Sequence, residues 1–478
     1  MLTTGPFPVV ACWLSGGAGG AERSGPRILS HDQGAPLTVD ITNPAGTPLI
    51  YDWNRAAGAD LEPARGRVEL DDETLRDGLQ SPSVKAPAIE DKLRMLHMMA
   101  ELGIEAADLG LPGAGPHVVR DVERLAREIV DQRLPVAANC AARTVIADIQ
   151  PIVEIAQRTG LSLEVACFIG SSPIRQFAEG WTLDRMLRLT REAVEFAVRE
   201  GLPVMYVTED TTRAAPEDLR RLYTAAVEAG ARRVCIADTV GFATPAGAAN
   251  VTRFIREVVA ATGEEVKIDW HGHRDRDLAV INALSAAAAG ADRLHGTAVG
   301  IGERVGNCPI DLLLVNMQLM GWIDRDLGSL RAYCQLVADT TGVPLPDNYP
   351  VVGRDAFRTA TGVHASAILK ARARGQDWLA DRVYSSVPAS LIGSRQVIEV
   401  GPMSGESNVV CWLQDHGIAA EAALVQEIFR RAKQAEKVLT DAEILGICAA
   451  THAAGGAPST APKEVPGAAA PAVSSNVP

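Results

Sequence analysis

Two histidines separated by one residue are the first feature of this sequence that could do chemistry. His271 and His273 follow a β-rich run, Val266–Trp270, and residues two apart on an extended strand point to the same face. Asp77, at the end of another such run, would complete a set of two nitrogens and one oxygen that holds a divalent metal and leaves positions open for a chelating substrate. A lone His-x-His pair is more often two unrelated surface histidines. Its place at a strand end, together with Arg76-Asp77-Gly78 at another, favours the metal site.

A scaffold must bring these distant segments together. Eight short β-rich runs recur within about 250 residues, and helical periodicity follows most of them, which is the count and length of a closed (β/α)8 TIM barrel. A doubly wound open sheet is disfavoured because no Gly-x-Gly-x-x-Gly follows the first run. The predicted strands are Val68–Leu70, Ala106–Leu111, Val136–Cys140, Leu163–Ile169, Pro203–Val207, Arg233–Ala237, Val266–Trp270 and Arg293–Ala298. The clearest predicted helices are Ile89–Leu102, His117–Gln132, Leu183–Glu200, Ala215–Ala229 and Pro245–Ala261.

The chain outside the barrel divides by composition. The N-terminal part of the sequence is rich in Gly, Pro and Ala and shows no sustained helical or strand periodicity. The C-terminal part is rich in Ala and Pro and cannot bury enough apolar surface to offset the entropy that ordering it would cost. The predicted organisation is an irregular extension over 1–65 with a hairpin around 37–51, a barrel over 66–322, an α-rich region over 323–450 and a disordered tail over 451–478. Helices are predicted in the α-rich region at 325–345, 353–374, 386–392 and 403–449.

Composition excludes several classes of partner. The 478 residues carry a net charge of −13 with no basic stripe, so nucleic acid and anionic membranes are poor partners, and small-molecule substrates remain. The eight cysteines form no Cys-x-x-Cys pair, which argues against a zinc ribbon or a disulfide framework. The apolar stretch Pro8–Leu14 is too short to span a bilayer and lacks a basic leader. We therefore expect a cytoplasmic protein.

Four motifs together resemble one enzyme family. They are Glu73–Gly78 with Gln80, His271-Gly272-His273, Asp238–Gly241, and Gly300–Arg304 with Gly306-Asn307. This combination, over about Val68 to Gly417, resembles the metal-dependent barrel acyltransferases of the 2-isopropylmalate synthase and homocitrate synthase family, within the DRE-TIM metallolyase superfamily. The stretch Thr361–Lys370 is similar to a segment that in these synthases enters the active site of the partner subunit, which implies at least a homodimer.

The resemblance implies a Claisen-type condensation of acetyl-CoA with a 2-oxo acid, dependent on Mn, Mg, Zn or Co. The metal ligands would be Asp77, His271 and His273, with Asn307 as a more distant fourth. Arg76 would place a cationic fork on the ketone oxygen, where charge grows in the transition state.

The remaining roles also come from the resemblance and from the needs of the reaction. The thioester methyl is a weak acid and needs a base, for which the resemblance implies Glu209 and the partner's His364, with Tyr384 in support. Substrate-binding roles are expected for Gln80, Arg143 and Thr239. Four of these residues have an alternative: a structural ion pair for Arg76 or Glu209, a surface position for Arg143, and a core histidine for His364.

Four departures from the family pattern leave other functions open. Arg274 and Asp277 replace an Asn and a Gly that usually follow the metal motif, and Asp108 replaces a longer Glu. Leu79 stands where the synthases usually have Glu and resembles the lyase branch, so retro-aldol cleavage of a 3-hydroxyacyl-CoA is the alternative reaction. A non-catalytic barrel retained as a scaffold is the third hypothesis.

Overall fold

Eight parallel strands close into a barrel. A computed structural model describes residues 49–55 and 61–455 of the protein. The strands are β1 (Glu69–Asp72), β2 (Ala106–Asp108), β3 (Ala137–Arg143), β4 (Leu163–Gly170), β5 (Val204–Glu209), β6 (Arg233–Asp238), β7 (Lys267–Gly272) and β8 (Arg293–Gly296). Each strand pairs with the next, and β8 returns to pair with β1. This closed order confirms the predicted (β/α)8 TIM barrel.

Helices cover the outside of the barrel. They are α1 (Ile89–Glu101), α2 (Pro116–Gln132), α3 (Ile146–Thr159), α4 (Pro173–Glu179), α5 (Leu183–Arg199), α6 (Pro216–Glu228), α7 (Pro245–Ala260), α8 (Ala279–Ala288) and α9 (Ile310–Leu319). In α2 the buried residues Val122, Leu125, Ala126 and Ile129 follow helical spacing, which gives one apolar stripe to lay against the strands. This periodicity is the reason that the helix positions were predictable.

The first strand differs from its prediction. The sequence predicts a strand over Val68–Leu70, whereas β1 extends through two acidic residues, Asp71 and Asp72. Aspartate is a poor strand former, so local composition ended the predicted strand too early. In the barrel both residues pair in register with β2 and β8, and these neighbours extend the strand.

The interior of the barrel carries charge. Barrels of this kind are usually filled by branched apolar side chains, but here Asp269 and Arg293 are both buried at the axis. Arg293 Nε donates to Asp269 Oδ2 at 2.6 Å, and its Nη2 donates to Glu164 Oε2 on β4 at 2.8 Å. The buried charges are therefore compensated within the barrel, as burial requires.

The α-rich region follows the barrel. Its elements are α10 (Leu330–Thr341), β9 (Arg358–Thr359), α11 (Gly362–Ala373), α12 (Asp377–Arg382), β10 (Val397–Ile398), α13 (Glu406–Asp415), α14 (Ala422–Gln434) and α15 (Asp441–Gly455). Helices α13 to α15 share an apolar core that includes Trp412, Ile428 and Ile444. The predicted helix over 353–374 begins only at Gly362, because the preceding residues form a loop and the strand β9, which pairs with β10. The predicted limits at 322 and 450 stay predictions.

Some expectations fall on other parts of the chain. The predicted tail from 456 onward, and the predicted N-terminal extension and hairpin apart from 49–55 and 61–65, lie outside the described residues. Among the described helices, none is both long enough and apolar enough to cross a membrane.

Candidate functional site

The residues predicted to bind metal meet at the C-terminal end of the barrel. Asp77 lies in the turn after β1, His271 lies in β7, and His273 follows β7 directly. Asn307 lies in the loop after β8 and pairs with His273 through an isolated bridge. The C-terminal strand ends of such barrels share one face, which is where active sites form.

Three potential ligand atoms converge. Asp77 Oδ2 lies 3.5 Å from His273 Nε2 and 3.8 Å from His271 Nε2, and one ligand atom from each residue lies within 4.8 Å of the others. The buried Asp77 Oδ2 accepts no hydrogen bond from any residue that the structure describes, a state that costs free energy unless something else binds there. Burial, followed by nearby His271, lowers the pKa of His273 to about 4, so this imidazole is neutral near pH 7. A neutral imidazole offers the lone pair that a metal needs, and the set fits a divalent ion.

Asn307 offers a fourth oxygen. Its Nδ2 donates to the carbonyl of Ile301 at 3.2 Å, while its buried Oδ1 has no partner within residues 49–55 and 61–455. Glycines shape the surrounding loop: Gly306 has a φ of +102°, and a Cβ there would overlap the carbonyl oxygen of Gly300. At Gly302 a Cβ would overlap the Asn307 amide. The glycines of this motif are thus needed for the position of Asn307.

Two of the departures from the family pattern bind each other. Arg274 Nη2 donates to Asp277 Oδ1 at 3.0 Å, and the Asp277 side chain is 81% exposed. Asp277 adopts a φ of 56°, a left-handed conformation that glycine adopts more readily. The backbone N–H of Arg274 donates to the carbonyl of Gly306, next to Asn307.

Arg76 lies among three carboxylates. Its Nε donates to Asp108 at 2.6 Å, its Nη1 to Asp77 at 2.8 Å and its Nη2 to Glu73 at 2.8 Å. Asp108, the third departure, is therefore long enough to hold this arginine. A guanidinium has five N–H donors, so two of them have no partner among the described residues.

Glu73 belongs to the site although the sequence analysis gave it no role. Its Oε2 lies 2.6 Å from His271 Nδ1, and its Oε1 lies 3.0 Å from His295 Nδ1. The sequence offered one signal for this role: Glu73 is an acidic residue in the same motif as Arg76 and Asp77, and it precedes both. His295 had no local signal at all.

Glu209 and Thr239 lie at the same end of the barrel. Glu209 ends β5, and its carboxylate forms no hydrogen bond within the described part of the chain. Burial raises the pKa of the Glu209 carboxyl. Thr239 Oγ1 accepts from the backbone N–H of Asp210 at 2.8 Å, which leaves the hydroxyl hydrogen of Thr239 free to donate.

The other predicted residues do not join this cluster within one chain. Arg143 is bound through Nε and Nη2 to Asp148 at 2.6 and 2.8 Å, with 65% of its side chain exposed. Gln80 is exposed. His364 in α11 stacks on the exposed Tyr384 with ring centroids 4.0 Å apart, and neither side chain bonds to the barrel cluster. Their predicted roles stay predictions.

A model of the HMGL-like family matches residues 67–337. The chain belongs to this family. This HMGL-like protein is 31% identical over 392 residues to the 2-isopropylmalate synthase of Pyrococcus furiosus, covering 80% of this chain and 75% of that protein. It is 33% identical over 373 residues to the homocitrate synthase AksA of Methanopyrus kandleri, covering 76% of this chain and 86% of that protein. The predicted DRE-TIM membership is confirmed.

One solved structure shows a related fold. A Bacillus subtilis HMG-CoA lyase superposes with a TM-score of 0.50 at 21% identity, covering 59% of this HMGL-like chain and 96% of the lyase. At this identity the similarity concerns the fold alone.

Proposed function

We propose that the protein is an acyltransferase that joins acetyl-CoA to a 2-oxo acid. With one water, the reaction yields a 2-substituted malate and free CoA. The observation that carries this proposal is the convergence of Asp77, His271 and His273 around an unpaired carboxylate oxygen, beside an arginine with two unused donors. The relatives named as synthases of this type support it.

Asp77, His271 and His273 would hold the divalent metal, and Asn307 Oδ1 would add a further oxygen. When bound, such an ion polarises the ketone and orients a substrate that chelates it through ketone and carboxylate. The mixed nitrogen and oxygen donors suit Mn, Zn or Co, and Mg less well.

Arg76 would stabilise the charge that develops on the ketone oxygen. Its two unused N–H groups extend from a guanidinium that three carboxylates hold in place, so no reorganisation is needed during the reaction. The same carboxylates explain why the ion-pair alternative and the catalytic role are compatible for Arg76.

Glu209 would accept a proton from the acetyl methyl group. A base whose pKa is raised toward the working pH is better matched to this task than an ordinary carboxylate. Thr239 would donate to the carboxylate of the oxo acid, and Gln80 would orient the groups around it. Arg143 would bind the distal group of the oxo acid after exchanging its bonds to Asp148.

His364 and Tyr384 would act in the active site of a second copy. The stacked pair is partly exposed and makes no bond to its own barrel cluster, as a pair that serves another subunit requires. The functional unit would then be a homodimer.

The test is CoA release. The protein is incubated with acetyl-CoA, Mn²⁺ or Mg²⁺ and single 2-oxo acids (2-oxoglutarate, 2-oxoisovalerate, pyruvate, oxaloacetate, phenylpyruvate, phosphonopyruvate), and the thiol is followed with a chromogenic reagent. We expect release that needs both metal and one acid and that is lost in His273→Ala. Silence across the panel together with acetyl-CoA formation from a 3-hydroxyacyl-CoA would favour the lyase reaction, which Leu79 motivates.

A further inference from the structure

Glu73 connects two parts of the proposed site through its backbone. It follows β1 directly, and its side chain is buried. Its N–H donates to the carbonyl of Gly296 at the end of β8, and its carbonyl accepts from the N–H groups of Arg76 and Gly78. The main chain of Glu73 therefore shapes the turn that presents Arg76 and Asp77.

The Glu73 side chain binds three donors. Oε2 accepts from His271 Nδ1 at 2.6 Å, while Oε1 accepts from Arg76 Nη2 at 2.8 Å and from His295 Nδ1 at 3.0 Å. Three nitrogen donors surround its two oxygens, which is the environment of an ionised carboxylate, because a protonated carboxyl would turn its own O–H toward one of them.

A carboxylate determines the tautomer of its histidine partner. An ionised carboxyl only accepts hydrogen bonds, so the proton of His271 must lie on Nδ1. In the neutral ring the lone pair then lies on Nε2, the nitrogen that faces Asp77. Hydrogen bonds of this kind orient ligating histidines and raise their basicity.

His295 holds the other oxygen of Glu73 in place. It lies fully buried on β8, and its Nε2 lies 2.9 Å from Asp269 Oδ2. With a carboxylate at each ring nitrogen, both nitrogens donate. Oε1 of Glu73 thus accepts from both His295 and Arg76, which leaves Oε2 to His271.

We propose that Glu73 is a positioning residue that fixes the tautomer and aim of His271 and orients the guanidinium of Arg76. The role rests on the proposed function, since it concerns the same metal site. It requires that Glu73 act through two other residues and not on the substrate.

The experiment is metal binding by the full chain, measured by isothermal titration calorimetry with Mn²⁺ and by the visible spectrum of bound Co²⁺. In Glu73→Gln the amide keeps the shape but loses the charge, and its NH2 can donate to His271 Nδ1 and shift the proton to Nε2. We expect the dissociation constant to rise about 10- to 100-fold, with an altered Co²⁺ spectrum. Glu73→Asp keeps the charge on a shorter arm and should recover part of the affinity.

Glu164→Gln is the matched control. Glu164 is a carboxylate of the same barrel interior with its side chain 18% exposed, but it binds Arg293 and Arg233 instead of the metal cluster. We expect its metal affinity to stay within about threefold of the unmodified protein, because the histidine contacts are unchanged. If Glu73→Gln does not fold, Glu73→Asp compared with this control decides the question.

Two results would overturn the inference: unchanged metal affinity and Co²⁺ spectrum in Glu73→Gln, or an equal loss in Glu164→Gln. An unmodified protein that binds no metal would overturn both this inference and the proposed function. Tight metal binding with the expected loss in Glu73→Gln, but no CoA release with any oxo acid, would contradict the proposed function alone.

Discussion

Replacing Arg76 by lysine keeps the positive charge but removes the planar guanidinium, whose donors lie on three nitrogens. The guanidinium reaches three carboxylates, on Asp108, Asp77 and Glu73, from three different nitrogens at 2.6 to 2.8 Å. An ammonium has all its donors on one nitrogen. It cannot satisfy three carboxylates in these directions and also donate to a ketone oxygen.

The expected loss follows from the bonds that disappear. One lost hydrogen bond between charged groups costs about 1.5–3 kcal/mol of stability. Losing a donor to a developing oxyanion lowers kcat by about 10²–10³. Because the lost donor serves the transition state more than the ground state, the KM for acetyl-CoA should change by less than about tenfold.

The assay is metal-dependent CoA release by Arg76→Lys, with the melting temperature and metal content measured in parallel. Arg256→Lys is the control: Arg256 is a partly buried arginine bound to Asp292 at 2.7 Å, at the opposite end of the barrel. It should lose comparable stability with kcat unchanged. A folded, metal-loaded Arg76→Lys whose kcat stays within about threefold of the unmodified protein would refute the assignment, because such a change is under 1 kcal/mol.

Three further predictions address other residues. Glu209→Gln should lower kcat about 10²- to 10⁴-fold with metal affinity retained. The CoA assay measures kcat and calorimetry measures metal affinity. An unaffected kcat would exclude Glu209 as the base. His364→Ala and Asp77→Asn chains should each be inactive alone. When they are co-expressed, about half of the dimers are mixed and each mixed dimer has one complete site of two, so about a quarter of the activity should return. No recovery would contradict action in trans. Burial raises the pKa of Asp311 to about 6, so its contribution to stability is present below pH 3.8 and is lost as the pH rises through 6. Asp311→Asn should therefore gain about 2 kcal/mol relative to the unmodified protein between pH 4 and 7. A constant difference in denaturant unfolding would show that Asp311 does not titrate this way.

The barrel and the convergence of Asp77, His271 and His273 could be predicted from local patterns. Repeated strand and helix periods predict a closed parallel barrel, and the C-terminal strand ends of a parallel barrel share one face. Residues at the ends of β1 and β7, such as Asp77 and His271, must then be neighbours. The two-residue spacing of His271 and His273 adds that both side chains point the same way.

The tertiary structure decided the contacts between distant residues. Glu73 lies 198 residues from His271 and 222 from His295 along the chain, and no local period encodes which of these side chains meet. The pairing of Arg143 with Asp148 is local, five residues apart, but it too gives that arginine a partner that its strand-end position did not indicate.

The sequence by itself determined the strand ends and the residue types that they carry, because a repeating period is a property of neighbours along the chain. Only the tertiary structure decided that the Glu73 carboxylate lies against His271 Nδ1 and that two donors of Arg76 have no partner in the described part of the chain. Those properties depend on rotamers and hydrogen-bond directions, which are set when segments from opposite sides of the barrel pack against each other.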